Sequence, residues 1–506
     1  TVGGYIWSYV GAFFRLNYGY KGKYLAEVSG RYDGSSKFPT NSKWGFFPSA
    51  SVAWRVSEEP WMKWSEEWLD NFKIRLSAGS MGNGNVDPYS YTSEMTVVTA
   101  SDIVLGGGLP SYTTVGSTVP VSLTWEKSTT YDLGLDLDFL NNRLSFSGDY
   151  YRRYTTDMYT PSISLPSVYG TTSPKGNNAE LRTTGWELSF TWRDSFKLGG
   201  KPFDYSIKAM VWDNRTVVTK YENATRSLGT LKGYIQNGGS PSDFYEGMEL
   251  GEMWGYTVAG LFRDQADIDS SATHDFTQAS DKVTRPGQVK IADLDHNGNI
   301  DPGAFTADDH GDLSIIGNIN PHYMFGVNLA ANWNGIGLSV FLQGVMKRDW
   351  YPSPDSGYFW GKYARPFMWV LGIHNYTDDM YSEEKNNWDT AYWPRMTTYQ
   401  SNSSYSWTKL LEIPNTRYKQ NAAYLRVKNI QVDYTFPKAL CQKIRLGGLK
   451  IYLSGENLFT FTPLHKYAPN FDPEALGYDT DFSSTAGDGY TYPVLKSVTL
   501  GVNITF

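Results

Sequence analysis

The stretch that decides the fold is residues 131–150, YDLGLDLDFLNNRLSFSGDY. From Tyr131 to Phe139 every second side chain is apolar, and the alternation resumes at Leu144. Because successive side chains of a β-strand point to opposite faces, this period of two predicts two strands with one apolar face each. Asn141 and Asn142 separate the two halves, and Asn tolerates the positive φ of a tight turn. The stretch therefore predicts a β-hairpin.

The same alternation recurs along most of the chain. Residues 325–333 and 338–342 flank Asn334-Gly335, a dipeptide typical of two-residue hairpin turns. Together with nine more candidates this gives 13 strands, or 14 if a weaker stretch near 91–99 is included. The nine lie near residues 11–20, 23–33, 45–56, 70–80, 184–194, 204–215, 421–436, 448–458 and 494–506.

Short and long connections alternate between these strands. Gly22-Lys23 and Asn141-Asn142 are short, whereas 216–321 and 347–420 are long and polar. This asymmetry is typical of outer-membrane barrels, while a soluble sandwich usually has evenly spaced turns. No run of about 18 apolar residues occurs, which excludes a helical membrane span. The chain is therefore predicted to be all-β, a transmembrane antiparallel β-barrel.

Aromatic residues are abundant, with 18 Trp, 37 Tyr and 25 Phe. A barrel places such rings at its membrane interfaces and in its loops, but an aromatic-rich soluble carbohydrate-active protein has the same composition. Residues 58–68 suggest a short amphipathic helix whose Trp side chains either anchor at the interface or pack on neighbouring turns. The net charge is −7 without a basic run, so no nucleic-acid partner is expected. The single Cys441 excludes an internal disulfide framework.

The chain ends on another alternating strand. Val498, Leu500, Val502, Ile504 and Phe506 are separated by Thr, Gly and Asn. A terminal Phe on such a strand resembles the recognition signal for outer-membrane barrel assembly. The alternative is a chance C-terminal strand.

Several segments together resemble the SusC/RagA-type TonB-dependent transporters of Bacteroidetes. They are RYDGSSKF (31–38), WGFFPS (44–49), NFKIR (71–75), GSMGN (79–83), GNINP (317–321), FLQG (341–344), YLRVKN (424–429) and GENLF (455–459). The resemblance implies a 22-stranded barrel with a plugged lumen, in the bacterial outer membrane.

Residues 1–506 would then be the C-terminal part of that barrel, about 14 of its strands. The long extracellular loops would be 216–321 and 347–420. A plug domain, a TonB-contacting box and an export signal are not evident. In such a barrel the strand that ends at Phe506 would pair with the first strand, which this chain is expected to lack, so the chain is not expected to close the native barrel alone. The resemblance also implies a SusD-like surface lipoprotein, the TonB complex, outer-membrane lipid and an oligosaccharide as partners, and a dimer of transporter–lipoprotein pairs.

An acidic motif lies within the first long loop. Residues 293–301, DLDHNGNID, match the start of an EF-hand-type calcium loop, with oxygen ligands in alternation and Gly298 at position 6. Position 12 is Ala304, so Asp308, Asp309 or Asp312 would have to supply the missing carboxylate after an insertion. The alternative is an Asx-rich turn without metal. The candidate ligands for a structural Ca²⁺ or Mg²⁺ are Asp293, Asp295, Asn297, Asn299, Asp301 and Asp309.

The second long loop is rich in aromatic side chains beside Asp, Asn and Arg, a combination that suits sugar stacking with hydrogen bonds to hydroxyls. The alternative is that these rings pack the loop itself or face the lipoprotein. No catalytic motif is recognisable, and no enzymatic activity is expected. The candidate substrate-binding residues are Tyr358, Trp360, Tyr363, Trp369, Trp388 and Trp393.

The resemblance favours TonB-dependent import of oligosaccharides together with a SusD-like lipoprotein. A TonB-dependent peptide importer and a passive porin are the alternatives within the membrane. A secreted carbohydrate-active enzyme with a structural Ca²⁺ is the alternative outside it, and it would be soluble without detergent.

Overall fold

The computed structural model describes residues 5–93, 95–101, 104–115, 119, 123–161, 175–228, 244–274, 284–352, 359, 379–395, 414–476 and 494–506. The strands are β1 (Tyr9–Tyr20), β2 (Tyr24–Ser35), β3 (Trp44–Arg55), β4 (Leu69–Asn83), β5 (Met95–Thr99), β6 (Ser111–Val115), β7 (Glu126–Phe139), β8 (Leu144–Pro161), β9 (Lys175–Leu198), β10 (Lys201–Lys220), β11 (Glu252–Tyr256), β12 (Val258–Leu261), β13 (Thr273–His274), β14 (Val289–Ile291), β15 (Asn299–Ile300), β16 (Leu313–Asn318), β17 (His322–Trp333), β18 (Ile336–Lys347), β19 (Asp349–Trp350), β20 (Gln420–Asn421), β21 (Tyr424–Thr435), β22 (Gly448–Phe461) and β23 (Ser497–Thr505).

Helices are few and short. The α-helices are α1 (Gln265–Asp269) and α2 (Lys438–Lys443), and 3-10 helices span Thr40–Ser42, Val56–Glu58, Pro60–Ser65 and Pro463–Lys466. Among the described residues, no helix has the length and apolar character needed to cross a membrane.

Thirteen strands of the described residues form one antiparallel sheet, in the order β1-β2-β3-β4-β7-β8-β9-β10-β17-β18-β21-β22-β23. Each strand pairs with the next sheet strand along the chain, and all 13 coincide with the predicted positions. This confirms the all-β class. The weaker stretch near 91–99 contains β5, which instead pairs with β6 in a separate two-stranded sheet.

The hairpin β7–β8 has the predicted register and turn. Leu133 lies opposite Tyr150 and Leu137 opposite Phe146, so apolar side chains share one face. The connecting residues include Asn141 and Asn142, both with φ of 59°. We call the face with the leucines the apolar face, and the face with the aspartates the polar face.

The second predicted hairpin and the last strand are also confirmed. Trp333 pairs with Ile336 across Asn334 and Gly335, whose φ values are 49° and 87°. At the C-terminus β23 pairs with β22, and Phe506 is 94% exposed. A role of Phe506 in barrel assembly stays a prediction.

The described residues fall into two compact units. Unit 1 lies within residues 1–190, 214–224 and 245–249, and unit 2 within 191–213, 225–244 and 250–506. Unit 1 has one core cluster around Trp125 and a second formed by Val56, Met62 and Leu69. The predicted helix within 58–68 is a 3-10 helix that buries Met62 and leaves Trp61 and Trp64 exposed.

Unit 2 contains a further core outside the large sheet. It contains the pairs β11–β16 and β12–β14, and the side chains of Tyr256, Phe262, Ile300 and Leu313, in or next to its strands, are buried. A long ordered connection needs such a core of its own, because burial of apolar side chains must offset the conformational entropy lost on ordering it. This core holds the acidic motif in a defined position.

Candidate functional site

Three carboxylates converge in the acidic segment 293–312 of unit 2. Oxygen atoms of Asp293, Asp295 and Asp312 all lie within 4.8 Å of one another. Asp312 is fully buried, and its two oxygens accept hydrogen bonds from the backbone N–H groups of Leu294 (2.6 Å) and Asp301 (2.9 Å). Burial raises the pKa of the Asp312 carboxyl, with the charge of Asp295 acting in the same direction and the two N–H groups acting against it.

Asp293 supplies the observation that favours a cation. Its Oδ2 atom accepts a hydrogen bond from the backbone N–H of Gly298 (3.0 Å), while its Oδ1 atom is buried and has no hydrogen-bond partner. Leaving a buried acceptor unsatisfied costs about 1–3 kcal/mol. A hard divalent cation would satisfy that oxygen, and Ca²⁺ prefers carboxylate ligands of this kind. The donor set of Asp293, Asp295 and Asp312 therefore fits Ca²⁺ or Mg²⁺.

The other candidate ligands organise the loop. Asn297 Nδ2 donates to Asp295 Oδ2 (3.0 Å) and to Asp301 Oδ2 (3.2 Å), and Asn297 Oδ1 accepts from the backbone N–H of Asn299 (2.7 Å). Asp309 is exposed in a turn with Thr306 and lies outside the group of three carboxylates. Their role as metal ligands stays a prediction.

Asp312 is the third member of this carboxylate group, and the sequence offered it only as one of three choices. Its position depends on the chain path from 301 to 312, where the Asp312 N–H donates to the carbonyl of Asp301 (2.9 Å). The sequence carries no periodic signal for such a return, and only the acidic side chain itself pointed to Asp312.

Trp393, a predicted substrate-binding residue, lies in an aromatic core. It is 2% exposed, and its ring centroid lies 4.9 Å from that of Tyr392, 5.5 Å from that of Phe359 and 5.6 Å from that of Tyr418. This arrangement leaves little surface for a sugar and corresponds to the alternative that the rings pack the loop itself. Trp388 is half-buried. Tyr358, Trp360, Tyr363 and Trp369 lie outside the described residues, and sugar binding stays a prediction.

Polar contacts fix the rings of this aromatic core. Tyr392 stacks on Tyr467 at 3.6 Å and accepts a hydrogen bond from Gln420 Nε2 (3.0 Å). Arg417 Nε donates to the carbonyl of Tyr392 (2.9 Å). Burial raises the pKa of the Tyr392 hydroxyl, so it stays protonated at any physiological pH.

The polar face of unit 1 carries a network of opposite charges. Arg75 on β4 contacts Asp136 on the adjacent strand β7 through Nε (2.9 Å) and Asp149 on β8, one strand further, through Nη2 (2.9 Å). Lys73 lies 3.9 Å from Asp136. Beside this network is a cavity of about 550 Å³ lined by Lys73, Arg75, Asp132 and other residues. This site was not predicted from the sequence, because alternation indicates which side chains lie on the polar face but not which charged side chains contact one another.

Unit 2 has a more deeply buried network of the same kind. Arg426 on β21 is 2% exposed and contacts Asp472 (2.5 Å) and Glu474, while its Nε donates to Thr460 Oγ1 (2.9 Å). Lys428 Nζ also contacts Glu474 at 2.8 Å. These ion pairs fasten the segment 463–476 to the sheet.

The family of the chain follows from comparison with known proteins. A family model described as TonB dependent receptor-like, beta-barrel, matches residues 5–308. The chain belongs to this TonB-dependent receptor β-barrel family. Proteins of this family lie in the outer membrane, and the predicted location is confirmed.

Two curated relatives illustrate the match. TonB-dependent receptor P3 of Formosa agariphila is 28% identical over 98% of this chain and 45% of its own length. TonB-dependent receptor SusC of Bacteroides thetaiotaomicron is 25% identical over 98% of this chain and 44% of its own length. The chain therefore spans less than half the length of these relatives. The predicted resemblance to SusC-type receptors is confirmed.

Solved structures show the same fold. The RagAB peptide transporter matches 99% of this chain and 48% of its own chain, with a TM-score of 0.70 and 20% identity. The RagAB peptide importer in its open-open state matches with a TM-score of 0.71 and 21% identity, over 99% of this chain and 47% of that chain. The large antiparallel sheet of this chain thus has the barrel fold of the family.

Proposed function

We propose that this chain provides barrel strands of a TonB-dependent importer of oligosaccharides. The observation that carries the proposal is the match to the receptor barrel family over residues 5–308, joined by a likeness to SusC along nearly the whole chain. The two faces of the strands suit this function, because a transport barrel needs an apolar surface toward lipid and a polar surface toward its lumen.

On the polar face, the charged network around Arg75 would line the path. Its donors and acceptors, with the adjoining cavity of about 550 Å³, suit transient hydrogen bonds to sugar hydroxyls. The aromatic loop would add stacking surface through side chains such as the half-buried Trp388, while the core around Trp393 keeps that loop in place.

Two partners belong to the proposal. A SusD-like lipoprotein would capture the oligosaccharide at the cell surface, and the TonB complex would supply the energy for import. Support for the first is the likeness to SusC, and support for the second is the family itself. A dimer of transporter–lipoprotein pairs remains part of this proposal.

A structural Ca²⁺ completes the proposal for the acidic segment. Asp293, Asp295 and Asp312 would hold the ion, and the unpartnered Oδ1 of Asp293 supports this. Bound there, Ca²⁺ would supply a positive charge that cross-links the two ends of the segment. It would have no part in transport chemistry.

The test is uptake by cells that produce the intact protein, compared with cells that lack it. Labelled oligosaccharides and labelled peptides are offered separately, with and without a protonophore that removes the energy source of TonB. We expect the protein to promote oligosaccharide uptake and the protonophore to abolish it. Uptake of peptides alone would shift the assignment to a peptide importer, and uptake that ignores the protonophore would indicate a passive porin. Solubility without detergent, with hydrolysis of glycans, would support the enzyme instead.

A further inference from the structure

An open groove of about 620 Å³ lies on the apolar face of unit 1. Its floor is a row of paired residues that crosses four strands, from Ala50 through Ala78 and Tyr131 to Arg152. The short side chains of the two alanines leave the groove open, and larger side chains such as that of Leu133 form its edge. The volume falls within the range of about 300–1,000 Å³ typical of ligand pockets. Because this face is turned toward lipid, the natural occupant is an acyl chain.

Arg152 gives one end of the groove a positive charge. Its side chain is exposed, and its Nη2 atom donates to the hydroxyl of Tyr150 at 3.3 Å. The rings of Tyr154 and Tyr131 pack edge to face, with their centroids 6.3 Å apart. An arginine on the lipid face costs about 2–4 kcal/mol at the middle of the bilayer and about 0–1 kcal/mol near the interface. Its guanidinium is suited to bidentate contact with a phosphate group.

A second cation lies on the same face, further from the short turn. Tyr131 pairs with Arg152, and four residues earlier on β7 the exposed Lys127 pairs with Thr156. On this face of the described strands β7 and β8, from Lys127 to Phe139 and from Leu144 to Thr156, no residue is Asp or Glu. Asp132 also lines the groove, but it alternates to the polar face, where it lies beside Arg75. The end of the groove therefore favours an anion.

The position of Arg152 along its strand indicates which leaflet of the membrane it faces. Strand β8 begins at Leu144, directly after the short turn, and eight residues advance about 26 Å along a strand. If the strand is tilted by about 40° from the membrane normal, this length spans roughly 20 Å of membrane thickness. The apolar band of such a barrel is about 25 Å tall. Short turns of outer-membrane barrels are periplasmic. Arg152 thus lies close to the outer interface, where lipid headgroups carry their phosphates.

We propose that this groove binds a phosphorylated glycolipid of the outer leaflet, of the lipid A type, with an acyl chain over Ala50 and Ala78 and a phosphate between Arg152 and Lys127. The assignment rests on the outer-membrane location of the chain and not on what the protein imports. The lipid would be a resident of the barrel surface and separate from the transported substrate.

The test uses the intact protein, extracted from outer membranes in detergent and stripped of lipid by repeated detergent exchange. Bisphosphorylated lipid A is added back, and bound lipid is counted by native mass spectrometry. We expect Arg152→Gln to lower the affinity about tenfold, because it removes a charge-assisted contact. Arg153→Gln is the matched control, since Arg153 donates to Thr130 Oγ1 on the other side of the same strand (3.3 Å).

A second variant examines the acyl chain. Ala78→Leu fills the floor of the groove without changing a charge, and we expect it to lower lipid A binding as well, with heat-modifiable migration showing that the barrel is intact. Equal lipid A binding by Arg152→Gln and Arg153→Gln would overturn the proposal. So would retention of phosphatidylcholine or phosphatidylglycerol as strongly as lipid A.

Discussion

The charged networks of the sheet and the acidic segment 293–312 both contain aspartates close together, but the groups that contact these carboxylates differ. On the sheet, Arg75 contacts carboxylates on the next two strands, and Arg426 contacts two acidic side chains. In the acidic segment, Asp293 and Asp312 accept hydrogen bonds from backbone N–H groups, and Asp293 Oδ1 is left without a partner. In the sheet, the pairing of strands thus places an arginine beside the carboxylates. In this loop, none of the residues that the structure describes places such a side chain beside Asp293 or Asp312, and the carboxylates fit a metal cation from solution.

The largest effect is expected at Arg426, the most buried cation of these networks. Its side chain is 3% exposed, so Arg426→Met would leave Asp472 and Glu474 facing each other with little solvent. Removing one member of a buried ion pair costs about 3–5 kcal/mol. The midpoint of urea unfolding of the detergent-solubilised protein measures this cost. A loss below about 1 kcal/mol would mean that Lys428 alone neutralises these carboxylates.

A smaller effect is expected at Arg75, whose side chain is 30% exposed. Arg75→Met should destabilise the protein by about 1–2 kcal/mol, because solvent screens Asp136 and Asp149 in part. Arg75→Lys keeps the charge and is the matched control. The same unfolding measurement at low and high salt separates the two, since only the methionine variant should lose its salt dependence. Equal stability of the two variants would show that the charge of Arg75 does not contribute to the stability of the protein.

In the acidic segment the expected effect is on metal binding. Asp312→Asn keeps the shape but removes a charge, and we expect Ca²⁺ affinity, measured by calorimetry after treatment with a chelator, to fall about tenfold. Asp309→Asn is the control, because Asp309 is exposed and outside the carboxylate group. If Asp309→Asn weakens binding more than Asp312→Asn, the ligand set is the one first predicted from sequence. If the native protein binds no Ca²⁺, the segment is a turn stabilised by hydrogen bonds alone.

The smallest effect is expected at Gly298, at the sharp bend of the same segment. Its φ of 84° is unfavourable for other residues, although a Cβ atom there would meet no neighbour within 4 Å. Gly298→Ala should therefore cost about 1 kcal/mol of Ca²⁺ binding free energy through backbone strain. Gly108→Ala is a matched control, since Gly108 is equally open and has no positive φ. Similar affinities for the two variants would show that the bend adapts without strain.

Most of the fold was predictable from local patterns. Alternation located all 13 strands of the large sheet, and Asn141, Asn142 and Asn334 marked turns that do adopt positive φ. The site was predictable only in outline. Asp293 and Asp295 were found from their spacing, while Asp312 was one choice among three. Trp393 was assigned to sugar stacking on residue type alone, yet it is nearly fully buried.

The sequence by itself determined the strands, their two faces, the tight turns and the family resemblance, because period-two alternation and positive φ are properties of neighbouring residues. Only the tertiary structure decided which charges meet, as with Arg75 between Asp136 and Asp149. It also decided that Asp312 returns to Asp293, and that two alanines and an arginine share one groove. These pairings depend on strand register and loop path, which join residues far apart in the chain.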